Sequence, residues 1–199
     1  MKAVLLLSTG IDSPVAGYLM QKRGLELIAV HFTHSHNSSH SKVISLAQKI
    51  GIKKLYKIQY DSVQQEIMSK TNRRLQCMFC KRFMYRIAER IAENEKAEFI
   101  VSGENLGQVA SQTLTNLSVN HKAVKMPILT PLLGFDKNET IKIAREIGTY
   151  DISIQKEASC PYVPQKPVTQ VKESFLIEQE SKLNVNGLVE CALKNMVTL

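Results

Sequence analysis

The segment Ser8-Thr9-Gly10-Ile11-Asp12-Ser13 sets three hydroxyls, a glycine and a carboxylate between an apolar run and a helical pattern. Free amides at a helix N-terminus, joined by hydroxyl donors, cradle phosphate. A P-loop NTPase would carry Lys at the matching place, and a dinucleotide-binding fold three spaced glycines; the segment has neither. A second chemical pattern is Cys77-Met-Phe-Cys80, placed just before an amphipathic stretch. Helix amides are expected to lower thiol pKa values there, which serves redox exchange, zinc binding or iron-sulfur ligation equally well. Cys160 stands in Ala158-Ser159-Cys160-Pro161, and Cys191 neighbours Leu188 and Ala192 as a buried structural cysteine would. His31, His34, His36 and His40 fall within ten residues, but among Ser and Asn and without a carboxylate, so they read as a solvated loop. Arg82, Arg86 and Arg90 recur every four residues as a basic stripe, either a solvated helix face or a contact for RNA phosphates, with Lys53, Lys54 and Lys57 adding to the field.

These groups need elements to position them. Lys2 to Leu7 is a β-rich run, followed by a helix through Arg23 with Pro14 as its first residue, Ser13 as cap and Gly24 as terminator. Leu25 to Phe32 predicts a second strand, and Ser39 or Ser41 opens a helix closed by Gly51. Lys53 to Tyr60 predicts a third strand. From Lys81 to Glu95, Phe83, Ile87 and Ile91 form one row and Met84, Ala88 and Ala92 the next, which requires an amphipathic helix. Ala97 to Ser102 and Met126 to Leu129 read as strands, and Asp136 to Ile147 as a helix with Asp136 and Glu139 in a capping box before Gly148. Pro161, Pro164 and Pro167 impose an extended segment, and Glu173 to Leu199 reads as helical. Strands alternating with helices imply an α/β fold, a parallel sheet flanked by helices, with ligands beyond the carboxyl ends of the strands.

At 199 residues the chain can bury about 70% of its unfolded surface and needs no disulfide staples. With 44% apolar and 22% charged residues it is neither disordered nor fibrous. Its net charge of +8 suits a polyanionic partner. The run Ala3 to Leu7 is far short of the roughly 20 residues of a membrane span, and four unevenly spaced cysteines make no secreted framework, so a cytoplasmic location without membrane contact is expected.

Ser8-Thr9-Gly10-Ile11-Asp12-Ser13 resembles the PP-loop of ATP pyrophosphatases, Ser-Gly-Gly-x-Asp-Ser, with Thr9 where the motif carries glycine. That replacement adds a Cβ and restricts positive φ in a loop that approaches phosphate closely. The stretches from Ser13 to Leu19, from Ser102 to Leu114 and from Arg145 to Ile154 are similar to the PP-loop domain of ThiI-type tRNA 4-thiouridine synthetases. The resemblance spans residues 1–170 as a PP-loop domain, leaving 171–199 as a helical extension packed on it. It implies the adenine nucleotide α-hydrolase-like fold, and a reaction in which ATP adenylates a uridine carbonyl oxygen and sulfur then displaces AMP.

The resemblance further implies that Ser8, Gly10, Asp12 and Ser13 hold phosphate, with Asp12 placing Mg²⁺ or ordering the loop. Leu6, Leu7, His31, Phe32, Lys81, Gly103 and Gln112 stand at the family's nucleotide contacts, Lys81 where many members carry Arg. Cys160 takes the place of a sulfur-handling catalytic cysteine. With Cys77 and Cys80 it resembles variants in which three cysteines hold a three- or four-iron cluster that leaves one iron free for hydrosulfide. ThiI-type proteins usually carry a THUMP RNA-binding domain, whereas this sequence opens almost on the PP-loop strand. The expected partners are therefore tRNA, a sulfide or persulfide donor, and either a separate THUMP-type protein or a second copy in a homodimer. Two other functions fit the same residues: an ATP-dependent sulfurtransferase or ligase acting on a small, thiamine-related molecule, and a non-catalytic nucleotide- or cluster-binding sensor.

Overall fold

The computed structural model describes residues 1–35, 40–107 and 109–199. Residues 36–39 lie outside the described residues, so the sequence reading of His36 and of a Ser39 helix start has no counterpart here.

The first β-strand, β1 (Lys2–Leu6), leads into helix α1 (Asp12–Lys22), then β2 (Glu26–Thr33), α2 (His40–Lys49), β3 (Leu55–Gln59), α3 (Asp61–Lys70) and the long α4 (Gln76–Asn94). Strand β4 (Phe99–Val101), α5 (Leu114–His121), β5 (Ile128–Leu129), α6 (Lys137–Glu146) and α7 (Tyr150–Ser153) follow, and the chain closes with α8 (Glu173–Glu180), α9 (Val185–Lys194) and β6 (Met196–Thr198). The strands form one sheet in the order β5-β4-β1-β2-β3-β6. All pairs are parallel except β3 with β6, which is antiparallel.

Side chains alternate across a strand, so β1 feeds two cores. Ala3, Leu5 and Leu7 pack under α1, α2 and α6 with Val15, Val43 and Ala144. Val4 and Leu6 pack under α3, α4 and α9 with Ile67, Phe83, Ile87 and Val189. The rows expected on α4 are buried, with Phe83 and Ile87 fully enclosed, except for Met84, which is half-buried. The capping box of α6 is present, Asp136 accepting from the Asn138 N–H at 2.6 Å and Glu139 accepting from the Asp136 N–H at 2.7 Å. Gly24 ends α1 at φ +87°, a conformation that β-carbon sterics disfavour for other residues.

Several expectations are corrected. α1 starts at Asp12, so Pro14 is its third residue and Ser13 does not cap it. The Ser13 hydroxyl instead accepts from the Ser8 N–H at 2.8 Å, which closes the loop on itself and leaves the first-turn amides of α1 without a side-chain cap. α4 begins at Gln76 because a 3₁₀ turn, Arg73–Leu75, is started by Asn72 accepting from the Arg74 N–H at 3.0 Å. Cys77 and Cys80 therefore lie inside the first turns of the helix rather than ahead of it. α3, which the sequence reading left without an element, packs on α4 through the buried Val63 and Ile67. The last residues are not helical: Met196, Val197 and Thr198 pair with Ile58, Lys57 and Tyr56. Cys191 is exposed, because α9 turns Val189 and Ala192 inward and this position outward. Arg82 and Arg86 are not a free stripe either, since both guanidinium groups clasp Glu180 of α8 at 2.8–3.0 Å and Arg82 is buried.

Candidate functional site

A cleft of about 220 Å³ opens beside the carboxyl ends of β1, β2 and β4. The residues expected at a nucleotide all line it: Leu6, Leu7, Ser8 and Gly10 from β1 and its loop, Asp12 and Ser13 from the start of α1, His31 and Phe32 from β2, and Lys81, Gly103 and Gln112 from farther along the chain. Val30, Met84 and Ser102 line it as well and carried no sequence signal beyond apolarity or smallness.

The phosphate-type loop is held by its own hydroxyls. Ser8 Oγ lies 2.9 Å from Ser13 Oγ and accepts from the Gly10 N–H at 3.3 Å. Lys96 is the one non-glycine residue at positive φ among the described residues, so Thr9 fits the loop without backbone strain. Its hydroxyl donates to Glu157. Gly103 is needed for close approach: a Cβ there would stand 2.7 Å from Ser13 Cα and from Ser13 N. Asp12 is bound through both carboxylate oxygens by Lys137 Nζ, at 2.8 and 3.1 Å, a partner the sequence reading missed because α6 brings it from 125 residues away.

The walls of the cleft have defined chemistry. His31 Nδ1 lies 2.9 Å from the Leu7 carbonyl, which can only accept, so this nitrogen carries the proton. Burial pushes the His31 pKa down and keeps the ring neutral, against the expectation of a solvated loop. Phe32 packs edge-on to Tyr60 with centroids 5.1 Å apart. Lys81 Nζ stands 3.6 Å from Glu104 Oε1, while Glu104 Oε2 is 2.8 Å from His121 Nε2. Burial would raise the Glu104 carboxyl, but Lys81 and His121 together hold it below the usual range, so Lys81 keeps a charged counterpart under the cleft. Gln112 contributes a buried Oε1 that has no hydrogen-bond partner among the described residues.

A second hollow of about 200 Å³ adjoins the loop, lined by Thr9, His34, Glu157 and Cys160. Cys160 Sγ is 3.8 Å from His34 Nε2, and His34 Nδ1 is 3.5 Å from Asp61. Asp61 also accepts from Tyr162 Oη at 3.0 Å and from the Ser35 N–H at 2.7 Å. Burial would raise its carboxyl, yet these bonds with the Gln59 amide hold it below the ordinary value.

The thiols of α4 do not behave as helix amides alone would make them. Burial, then the neighbouring sulfurs, pushes Cys80 up to about 12 and Cys77 above its ordinary value. The expected lowering is therefore reversed. Cys160 is among the groups that raise both. Among the described residues no three His, Cys, Asp or Glu side chains make a cage for a single ion. Cysteine sulfurs are the donors that iron-sulfur clusters take.

A mostly parallel sheet whose first strand ends in this hydroxyl-rich loop defines an adenine nucleotide α-hydrolase-like protein of the PP-loop ATP pyrophosphatase class. NMN synthetase from Francisella tularensis shares that fold, with a TM-score of 0.59 at 17% identity over 98% of this chain and 78% of its own. The sequence profile of the family described as "Thiamine biosynthesis protein (ThiI)" matches residues 1–185, and the chain belongs to that family. A probable tRNA sulfurtransferase of Alkaliphilus metalliredigens is 40% identical over 205 residues, which are 98% of this chain and 52% of that protein. One from Methanocaldococcus jannaschii is 40% identical over 192 residues, 92% of this chain and 50% of that protein. A 4-thiouridine synthetase crystallised with RNA and bound ATP superposes with a TM-score of 0.94 at 37% identity, over 100% of this chain and 54% of that one. The chain thus spans about half the length of the relatives it matches. Among the described residues no helix is long and apolar enough to cross a membrane.

Proposed function

We propose that this chain is the ATP-using part of a tRNA sulfurtransferase: it adenylates a uridine carbonyl oxygen in tRNA, releasing pyrophosphate, and sulfur then displaces AMP to give 4-thiouridine. The observation that carries this reading is the gathering of every expected nucleotide contact around one cleft at the mouth of the phosphate-type loop. A carbonyl oxygen leaves poorly and an adenylate leaves well, so the site's task is to hold the α-phosphate in line with that oxygen and spread its charge.

The chain's own residues divide that task. Ser8, Gly10 and Ser13 offer hydroxyls and amides to phosphate, and Lys81 adds a point charge held in place by Glu104. Asp12 orders the loop through Lys137 and is the carboxylate that would hold Mg²⁺. The buried Gln112 Oε1 suits the exocyclic amino group of adenine, and the ring of Phe32 and the Leu6 side chain give the base an apolar wall. Cys77, Cys80 and Cys160 would hold an iron-sulfur cluster, whose chemistry is to bind hydrosulfide at an iron without a cysteine ligand. tRNA is the substrate, sulfide or persulfide the donor, and RNA capture falls to a THUMP-type module or to a second copy of the chain. The family's description as a thiamine biosynthesis protein favours one further reading, an ATP-dependent sulfur transfer within thiamine synthesis.

The test is anaerobic. Protein with iron, sulfide, ATP and Mg²⁺, with and without unmodified tRNA, is followed for AMP and thiolated nucleosides by mass spectrometry. AMP that forms only with tRNA, together with 4-thiouridine, is the expected result. AMP formed with a small-molecule acceptor alone moves the activity to thiamine-type chemistry, and no AMP with either acceptor removes the catalytic reading.

A further inference from the structure

The segment that carries Cys160 has no helix or strand of its own from Lys156 to Cys160. A catalytic side chain on such a segment is placed only as well as its side-chain ties allow. One buried cation makes three of these ties. Lys42 of α2, 8% exposed, donates to the carbonyls of Ser153 and Gln155, both at 3.0 Å, and stands 3.5 Å from Glu157. Glu157 in turn accepts from the Thr9 hydroxyl, and Ser153 Oγ donates to the Gly10 carbonyl at 3.4 Å. The phosphate-type loop is therefore fastened at two successive residues to the chain that leads to the cysteine.

We propose that Thr9, Glu157 and Lys42 are positioning residues that latch the segment carrying Cys160 to the PP-loop, so that a loop gripping nucleotide also fixes where the sulfur stands. The inference rests on the nucleotide reading above and deepens it by joining its two chemical halves. Thr9 is the position at which this chain departs from the glycine of the PP-loop pattern, and its backbone does not need glycine's freedom. The hydroxyl supplies what glycine cannot, a donor to Glu157. Lys42 is the counter-charge that keeps the Glu157 carboxylate beside a loop built for phosphate. A loop stiffened by phosphate passes that order along the latch, and a loop without the latch keeps it to itself.

Hydrogen exchange across residues 154–161, read by mass spectrometry with and without ATP and Mg²⁺, tests this, with calorimetry reporting ATP binding on the same samples. In the unaltered chain and in Thr9→Ser, ATP should slow exchange in this segment by about fivefold, the change that the net worth of one hydrogen bond gives. In Thr9→Gly and Glu157→Ala, ATP should still bind but leave the exchange of 154–161 unchanged. Rescue by serine separates a donor hydroxyl from mere filling of space. ATP that binds without protecting the segment in the unaltered chain, or that protects it equally in Thr9→Gly and Glu157→Ala, overturns the latch. Absence of ATP binding to the unaltered chain overturns the nucleotide reading and the latch with it, and the calorimetry tells these failures apart.

Discussion

Cys80 is a thiol that resists ionisation: burial and nearby sulfur push its pKa up to about 12, so the thiolate is scarce near neutral pH. Cys160 and Cys191 are exposed. Iodoacetamide added to chelator-treated, folded protein should therefore label Cys160 and Cys191 first and Cys80 at least about a hundredfold more slowly. Urea should erase the difference, and equal rates in the folded protein would show that burial does not govern this thiol. Asp12 offers the other residue-scale expectation. Asp12→Ala removes both the Lys137 tie and the candidate Mg²⁺ ligand, so AMP formation should fall by about a thousandfold or more, the scale seen when one preorganised electrostatic group is lost. Turnover within a few-fold of the unaltered chain would take Asp12 out of the chemistry. At this scale the sequence disclosed residue types better than their states. The contact residues of the cleft follow from their match to a family pattern, whereas the direction of the thiol shifts depends on what buries them, which spacing along a chain does not encode.

Helix α4 is held to α8 by one carboxylate and two guanidinium groups, an arrangement legible only once the chain has folded, since 94 and 98 residues separate the partners. A four-residue arginine repeat reads as a surface stripe because sequence shows the period and hides the acceptor. Burial alone would raise the Glu180 carboxyl, but Arg86 and Arg82 hold it at about 2. A carboxyl depressed in the folded state contributes stability that is complete above its unfolded value of 4.5 and is lost as pH falls toward about 2. The shift corresponds to about 3 kcal/mol at neutral pH. Glu180→Gln should cost about that much at pH 7 by urea denaturation, because two guanidinium groups lose their counter-charge, and the gap should close between pH 4.5 and 2. A gap that stays constant with pH would assign the loss to packing. Where local rules suffice, the sequence was an accurate guide. The capping box of α6 and the buried rows of α4 follow from residues within one or two turns. The early start of α4 did not, because it depends on a 3₁₀ turn set by a single Asn72 side chain.

At the scale of the whole molecule, the alternation of strands and helices announces a parallel sheet, but not that its last strand runs the other way. β6 is three residues long and covers the outer edge of β3. An uncovered edge is a template for other chains. Truncation after Asn195 should lower the melting temperature by several degrees and make light scattering rise with protein concentration on heating. A truncated chain that melts and scatters like the full one would show that the edge needs no cover. The order β5-β4-β1-β2-β3-β6 has a consequence for synthesis. β1 leaves the ribosome ahead of the other strands of the sheet and meets β2 within a few dozen residues, but its opposite edge must wait for β4, whose first residue is Phe99. At about 5–20 residues per second that edge stays open for roughly 5–20 s. The strand that ends in the phosphate-type loop is thus the one a nascent-chain chaperone would have reason to hold, until α4 and β4 arrive together to shut it.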